Sequence, residues 1–426
     1  MVCGLVAITQ ASWGLIVPVL PIYARQFNAS AFELGLVVSA FSIARLVVNI
    51  PAGLIADRVN RRVMILVAAV GVAAILALTA TVQSLAMLFV MRALLGLCGG
   101  VVITVGQALL AELTEGKNRG QAMATLQAFQ LAGGSLGPAL GGITASFWGP
   151  PGSYLVAGGI CLVMTIIAIV RLPHQPAQGT RVRGKASGNP LVLFRDPSYV
   201  ASCLVGFTVF FVRFGGQQTL VPLIAYTWAD VSTRTFGISL SALTVLNLLQ
   251  VRFVGRMSDK SRKVPIVASL LVTGVGYVVF AYSHDWVIFF VALAIVGLAN
   301  GFSGSTPAAY CADVVSARLR GSGIGVYRTF GDLGGLIGPI FLGAMVDWRG
   351  NSLAAWGVAI IVTLAACAFA AVAKETVGSR ASWKAVHDDI VEDTGPEKAG
   401  VDELRVEAAR KAGDDQSGTA QKLAAR

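Results

Sequence analysis

Five charged side chains stand out within long apolar runs of the sequence. They are Arg45, Arg92, Arg213, Arg328 and Asp332. If these runs cross a lipid bilayer, each charge costs free energy to embed. Charges kept at such positions pair with one another, bind substrates or relay protons. These residues are therefore the first candidates for the chemistry of this protein.

Asp332 is the one carboxylate of the five, and it lies near the middle of its run. It is therefore the first candidate for proton transfer, and we expect Asp332→Asn to abolish proton coupling while expression is kept. Arg328 precedes it by four residues on the same helical face, so a permanent salt bridge between the two is the structural alternative. Arg92, nearer the end of its run, completes the predicted proton-coupling set.

The embedded charges also restrict the substrate. Near mid-run, three arginines and one aspartate leave two positive charges in excess, which disfavours cations and suits a neutral or anionic molecule. Amide side chains of the same runs are expected to complete a polar cavity. The predicted cavity residues are Arg45, Asn49, Gln127, Gln130, Arg213, Gln217, Asn247 and Asn300. We expect Arg213→Ala to weaken anionic substrates more than neutral ones.

The composition identifies the elements that must hold these residues. Apolar residues make up 55% of the chain and charged residues only 13%, about half of what a soluble domain carries. A membrane-spanning helix needs ~20 mostly apolar residues. Twelve runs qualify: 2–24, 32–56, 63–83, 85–111, 120–146, 152–171, 199–224, 236–255, 264–283, 286–312, 321–346 and 352–373. The chain is thus predicted to be an all-α integral membrane protein with 12 transmembrane helices.

The net charge of +11 reflects topology rather than nucleic-acid binding. Sixteen basic residues fall in one set of alternate loops, whereas the other set holds only Arg25, Arg234 and Arg349. By the positive-inside rule, the first set and both termini are predicted to be cytoplasmic. The six cysteines fall inside predicted spans without a Cys-x-x-Cys pair, and no metal or cofactor is expected.

The two halves of the sequence repeat with an offset of about 201 residues. Glu112 matches Asp313, and the pair Gly137-Pro138 matches Gly338-Pro339. An even number of spans per repeat places two pseudo-symmetric six-helix halves in parallel orientation. The predicted divisions are an N-terminal half at 1–171, a cytoplasmic linker at 172–198, a C-terminal half at 199–374 and a polar tail at 375–426.

Two motifs resemble those of the major facilitator superfamily of secondary transporters. The loop after span two reads Gly53-Leu-Ile-Ala-Asp57-Arg58-Val-Asn-Arg61-Arg62, which is similar to the signature of that family. Asn60 stands where the family usually has glycine, and we expect it to keep a left-handed turn. The glycine-rich stretch from Gly133 to Gly142 is similar to a motif of the drug:proton antiporters in this family.

The resemblance implies a conformational latch on the cytoplasmic side. Asp57 would lie near the N-terminus of span eleven, where the helix dipole favours a carboxylate, and Arg61 or Arg62 would pair with Glu112. The predicted latch residues are Gly53, Asp57, Arg58, Arg61, Arg62, Glu112, Asp259, Lys263 and Asp313. The alternative is that the arginines only determine topology. The residues predicted to let helices pack closely and flex, or simply to pack, are Gly133, Gly137, Pro138, Gly141, Gly338 and Pro339.

The sequence therefore predicts a transporter that works by alternating access, not an enzyme. No nucleotide-binding G-x-x-x-x-G-K-[ST] motif is present to drive it. The span-five motif favours proton-coupled efflux of a neutral or anionic organic compound or drug across the plasma membrane. The alternative is proton-coupled uptake, or uniport, of a sugar or organic acid, because span one lacks the acid that multidrug antiporters of this family often carry. The expected partners are a small-molecule substrate, protons and the lipid bilayer, with the protein as a monomer.

Overall fold

The computed structural model describes residues 2–56, 59–113, 119–172, 190–303, 306–316 and 319–377. These residues are almost entirely helical, and none of them forms a strand. Helices suit a lipid environment because they satisfy every backbone polar group within one segment. The chain divides after Lys374, where the polar tail was predicted to begin.

The helices match the predicted spans. In chain order they are Val2–Ile16, Leu20–Arg25, Ala31–Ala56, Arg61–Thr79, Leu85–Leu113, Arg119–Arg171, Pro197–Phe210, the π-helical Phe211–Leu220, Val221–Thr227, Thr233–Lys260, Lys263–Phe280, Trp286–Ser303, Thr306–Val314 and Arg320–Val372. The first two form span one, the three from Pro197 to Thr227 form span seven, and the two from Trp286 to Val314 form span ten. The two long helices, Arg119–Arg171 and Arg320–Val372, each hold two spans. The described helices therefore correspond to twelve spans.

Each of the long helices is broken by one glycine. Gly149 separates spans five and six with φ of 68°, and Gly350 separates spans eleven and twelve with φ of 84°. Positive φ is accessible to glycine at little steric cost, which explains its presence at both turns. The two glycines are 201 residues apart, so the internal repeat extends to these turns.

The surface of the bundle is apolar. Eight stretches of the described residues are long and apolar enough to cross a membrane, and the two longest, Ala132–Arg171 and Ser322–Val372, hold two spans each. Large side chains such as Val170 and Leu249 are 74% exposed. So much apolar surface would cause aggregation in water but is the expected surface in lipid. The chain is an integral membrane protein with the predicted all-α fold class.

Glycines bring helices into backbone contact within each half. In span five, Gly133, Gly137 and Gly141 recur every four residues and lie against the backbone of span one. In the second half, Gly334 and Gly338 of span eleven lie in the same way against span seven. A side chain at these glycines would force the paired helices apart, so the motif serves close packing.

A second pair of glycine contacts joins the two halves to each other. Gly35 of span two packs on the carbonyl oxygen of Pro339, and Gly237 of span eight packs on that of Pro138. The two contacts are related by the repeat, since both the glycines and the prolines are about 201 residues apart. They lie towards the end of the bundle that was predicted to face outward, and they hold the halves together there.

Candidate functional site

A cavity of about 280 Å³ lies between the two halves near the middle of the bundle. It is lined by spans one and five from the first half and by spans seven, eight and ten from the second. Five of the predicted cavity residues line it: Gln130, Arg213, Gln217, Asn247 and Asn300. A cavity shared by both halves is accessible from either side of the membrane in turn if the halves rock against each other.

The π-helical part of span seven positions two of the polar lining residues. Arg213 and Gln217 both project from Phe211–Leu220 into the cavity, and the backbone NH of Val221 donates to the carbonyl of Gly216, five residues earlier. The wider turn of a π-helix brings residues four or five apart onto one face. Such turns are often found at functional sites. The Nε2 of Gln217 also donates to Asn300 Oδ1 at 2.9 Å, which joins spans seven and ten.

Arg213 is the cation of the cavity. Its guanidinium carbon lies 5.7 Å from the centre of the Trp13 ring, a distance typical of a cation–π contact. The side chain is exposed although it lies within the bundle, because its free surface faces the cavity. In the described part of the chain, no carboxylate forms an ion pair with it.

The structure corrects the expected partner of Asp332. Its carboxylate does not pair with Arg328 but forms an ion pair with Arg45 of span two, and Asn49 Nδ2 donates to the other carboxylate oxygen at 3.0 Å. Arg328 is exposed and donates instead to Gln107 Oε1 at 3.5 Å. Arg45 and Asn49 were predicted to line the cavity, and they lie instead in this acid–base cluster between the halves.

Aromatic rings surround the Arg45 guanidinium. Its carbon lies between 5.6 and 5.8 Å from the ring centres of Phe41, Phe210 and Phe214. The Asp332 side chain is only 6% exposed. The rings exclude water, which strengthens the attraction between the two ions. The cluster therefore joins the halves at the depth of the cavity through a single buried ion pair.

Arg92 occupies a separate position within the first half. It is 1% exposed, and its guanidinium carbon lies 5.7 Å from the Phe41 ring. Phe41 thus contacts the guanidinium groups of both Arg92 and Arg45. Among the described residues, no carboxylate forms an ion pair with Arg92, so the structure does not bring it into contact with Asp332.

The predicted latch is described only in part. Asp57 and Arg58 lie outside the described residues, as do the side chains of Glu112 and Asp259. Gly53 is described only as part of the helix Ala31–Ala56, and in the cavity set the side chain of Gln127 is not described. In the second half, Asp313 accepts a bond from Arg262 Nε at 3.2 Å, so its observed partner is the residue before the predicted Lys263. In the first half, Arg62 is buried and donates to the carbonyl of Ile169 in span six at 2.8 Å.

Asn60 does not adopt the left-handed turn expected of it. Its φ is −58°, and its side-chain oxygen accepts a bond from the backbone NH of Arg62 at 2.9 Å. Asparagine thus acts as the N-cap of span three, a role for which it ranks among the best residues. The departure from the family signature is accommodated by a cap rather than by backbone flexibility.

The end of the bundle that was predicted to face outward is held by polar contacts as well as by glycines. Asp347, near the end of span eleven, accepts bonds from the backbone NH groups of Ala31 and Phe32 at 3.0 and 2.8 Å. These groups are at the N-terminus of span two, where the helix dipole favours a carboxylate. Tyr226 of span seven donates to the carbonyl of Pro18 at 2.6 Å. Both contacts cross from one half to the other.

Some site residues were not predicted. Thr244 of span eight lines the cavity, and Ser241, one turn earlier, accepts a bond from the backbone NH of Ala139 at 2.7 Å. Together with Asn247 they recur every three residues along span eight. That polar stripe was the signal that could have identified them. Phe210 and Phe214 gave no such signal, because aromatic residues in a spanning helix usually face lipid or other helices.

Comparison with known proteins gives matches over most of the chain. A model of the Major Facilitator Superfamily matches residues 2–250 and, in a second match, 206–396. The quinolone resistance protein NorA of Staphylococcus aureus is 25% identical over 341 residues, covering 78% of this chain and 86% of the relative. An uncharacterized MFS-type transporter, MJ1560 of Methanocaldococcus jannaschii, is 19% identical over 346 residues, covering 80% of this chain and 89% of the relative.

Solved structures share the fold. A bacterial homologue of the human lysosomal transporter Spinster, in an inward-facing and occupied conformation, superposes with a TM-score of 0.74 at 14% identity, covering 86% of this chain and 94% of that one. The nucleoside transporter NupG superposes with a TM-score of 0.72 at 16% identity, covering 87% of this chain and 98% of that one. At this level of identity the likeness concerns the fold alone.

Proposed function

Because this chain belongs to the major facilitator superfamily, we propose that it is a secondary transporter that exports a neutral or anionic organic compound in exchange for protons. The observation that carries this proposal is the central cavity, which both halves line and which contains Arg213, a cation without an ion-pair partner among the described residues. Transporters built from two repeats bind substrate at the interface of those repeats, near the middle of the membrane. The contacts at the outward-facing end fit a state that is closed to the outside.

The direction of transport rests on two supporting observations. The span-five glycine motif resembles that of drug:proton antiporters, and its glycines pack span five on span one beside the cavity. One relative carries the name quinolone resistance protein, which supports export of an organic compound. Efflux is therefore the direction that we propose.

Proton coupling is assigned to Asp332 and its surroundings. A proton on Asp332 would neutralise the carboxylate and weaken its attraction to Arg45 across the interface. The two halves would then be freer to separate at this depth, which links proton binding to rocking. Arg328, one turn away on span eleven, and Arg92, which shares the Phe41 ring with Arg45, would modulate the charge balance around this pair. The cluster and the cavity both include span seven, so the two sites are mechanically connected.

The remaining proposals concern the membrane location, the cytoplasmic latch and the oligomeric state of the protein. The basic residues of alternate loops support a plasma-membrane transporter with both termini in the cytoplasm. The partially described cluster around Asp313 supports a latch on that side. We assign the protein as a monomer, since one chain supplies the whole cavity.

Uptake by symport remains the second candidate. The amide pair Gln217–Asn300 presents donors and acceptors suited to a hydroxylated solute such as a sugar. Uptake and efflux predict opposite changes in cellular accumulation, so the two are separable without knowing the substrate in advance.

A screen of cells that express the protein tests the proposed direction. Cells with the wild-type chain and cells with the Arg45→Gln/Asp332→Asn double variant are grown against varied aromatic acids, amides and amines. Efflux predicts that wild-type cells tolerate some acids or neutral compounds at several-fold higher concentration and accumulate less of them. Greater sensitivity together with greater accumulation would instead indicate uptake and contradict the proposal.

A further inference from the structure

Among the described residues at the centre of the bundle, positive charge exceeds negative charge. Arg45 and Asp332 form a buried ion pair and offset each other, whereas Arg213 faces the cavity with no carboxylate among the described residues to offset it. None of the residues that line the cavity is acidic. A cation held within the bundle without a counter-ion is unfavourable, and a bound anion would supply the missing partner.

The walls of the cavity specify the rest of the ligand. Trp13 forms one wall, and its ring stacks on Phe41 with centroids 4.9 Å apart, which fixes its orientation. Leu240, Leu243 and Leu293 also line the cavity and add apolar surface. An indole together with leucine side chains suits an aromatic ligand, and about 280 Å³ accommodates one or two fused rings.

Position favours recognition of the acid group by Arg213 in particular. Its guanidinium is already packed on Trp13, so a ring bound beside that indole places its carboxylate within reach of the guanidinium. A planar guanidinium donates two parallel hydrogen bonds to a carboxylate, which an ammonium group cannot do. The amides of Gln217 and Asn300 lie on the same side of the cavity and can bind a further polar substituent.

From this arrangement we propose that the cavity selects monoanionic aromatic acids of one or two rings, whose acid group pairs with Arg213. The inference rests on the proposed transport function and names its substrate class. It has an electrical consequence. A proton that enters and an anion that leaves both move positive charge inward, so a one-for-one exchange carries twice the charge of an exchange with a neutral substrate.

Three probes with one ring system test the selectivity: 2-naphthoate, 2-naphthamide and 2-naphthylmethylammonium. Binding to the purified full-length protein in lipid nanodiscs is measured by titration calorimetry. We expect naphthoate to bind at least about 10-fold more tightly than either other probe, the difference typical of one charge-assisted contact. Comparable binding of the amide or the ammonium compound would overturn the proposal, and this comparison needs no variant.

Variants identify the residue responsible. Arg213→Gln should weaken naphthoate by about 10- to 100-fold and leave naphthamide within about 3-fold, while Arg213→Lys should restore part of the preference. The matched control is Arg349→Gln, because Arg349 lies 5.2 Å from the ring of Trp348 but outside the cavity. Equal losses for the acid and the amide in Arg213→Gln would contradict the assignment.

Measurement of the transported charge distinguishes failure of the proposed substrate class from failure of the proposed transport function. In proteoliposomes, currents on solid-supported membranes should be about twice as large per molecule for naphthoate as for a neutral substrate. Proton-coupled export of neutral compounds only would overturn the substrate class and leave the transport function standing. A protein that moves neither protons nor any compound of the screen would overturn the transport function itself.

Discussion

Asp332 is the residue at which we expect a single proton to weaken the contact between the two halves most. It is the described carboxylate that is buried between the two halves, and its charge is balanced by Arg45 and hydrogen-bonded by Asn49. Protonation would leave Arg45 among three aromatic rings, whose faces still attract a cation. The rings make the unpaired state of Arg45 less unfavourable, which suits our proposal that the pair breaks in each transport cycle.

The buried partner changes what is expected of Asp332→Asn. The substitution removes the carboxylate but leaves Arg45 charged, which costs about 3–5 kcal/mol when one partner of a buried pair is lost. We therefore expect reduced thermal stability rather than intact expression. The double variant Arg45→Gln/Asp332→Asn should regain most of this stability and still lose proton coupling.

The measurements are thermal unfolding in detergent and proton flux in proteoliposomes. The control is Asp230→Asn, a carboxylate-to-amide change at an exposed residue whose φ of 48° asparagine tolerates well. It should leave both measurements unchanged. If the stable double variant still exchanged protons as the wild type does, the role of Asp332 in coupling would be wrong.

The sequence marked Asp332 and Arg213 as candidates and offered Arg328, rather than Arg45, as a possible pairing partner of Asp332. Residues four apart on one helix are the natural candidates for a pair, and Arg328 satisfies that spacing. The observed partner, Arg45, is 287 residues away in the chain and belongs to the other half. No local pattern specifies which helices of a bundle become neighbours, so this contact required the fold.

At the scale of elements, glycines determine where the two halves can touch. Gly35 and Gly237 occupy equivalent positions in spans two and eight, and each lies on the carbonyl oxygen of an equivalent proline. A Cβ at either glycine would collide with that oxygen. These positions went unnoticed in the sequence because the chain contains 48 glycines and nothing in their spacing marks these two.

Alanine substitutions test this interface. Gly35→Ala and Gly237→Ala should each destabilise the closed outer end by about 1–3 kcal/mol, the usual cost of overpacking. Their similar environments predict effects of similar size, and transport should slow in both. The control is Gly159→Ala in span six, where a Cβ would meet nothing within 4 Å and helix propensity should raise stability slightly.

Thermal unfolding and transport rates are measured for all three variants. Effects of Gly35→Ala and Gly237→Ala as small as that of Gly159→Ala would contradict the close contact. A large effect in only one of the two would contradict the symmetry of the interface.

For the whole molecule, the spans were predictable because lipid imposes a simple requirement. A segment must be apolar for ~20 residues, and that property is visible in the sequence without knowledge of contacts. The repeat was visible for the same reason, since Gly137-Pro138 and Gly338-Pro339 keep both residue type and order. The cavity was predicted in part: Arg213, Gln217 and Asn300 line it, whereas Arg45 and Asn49 lie instead in the ion-pair cluster.

The central claim is that this protein exchanges protons for an organic compound across the membrane. The most direct test reconstitutes the purified full-length chain in proteoliposomes with an imposed pH gradient. A dye inside the vesicles reports proton movement while the internal concentration of a compound from the growth screen is followed. The account predicts that protons and compound move in opposite directions, and that the Arg45→Gln/Asp332→Asn variant moves no protons. Movement of both in the same direction, or compound flux that ignores the pH gradient, would contradict it.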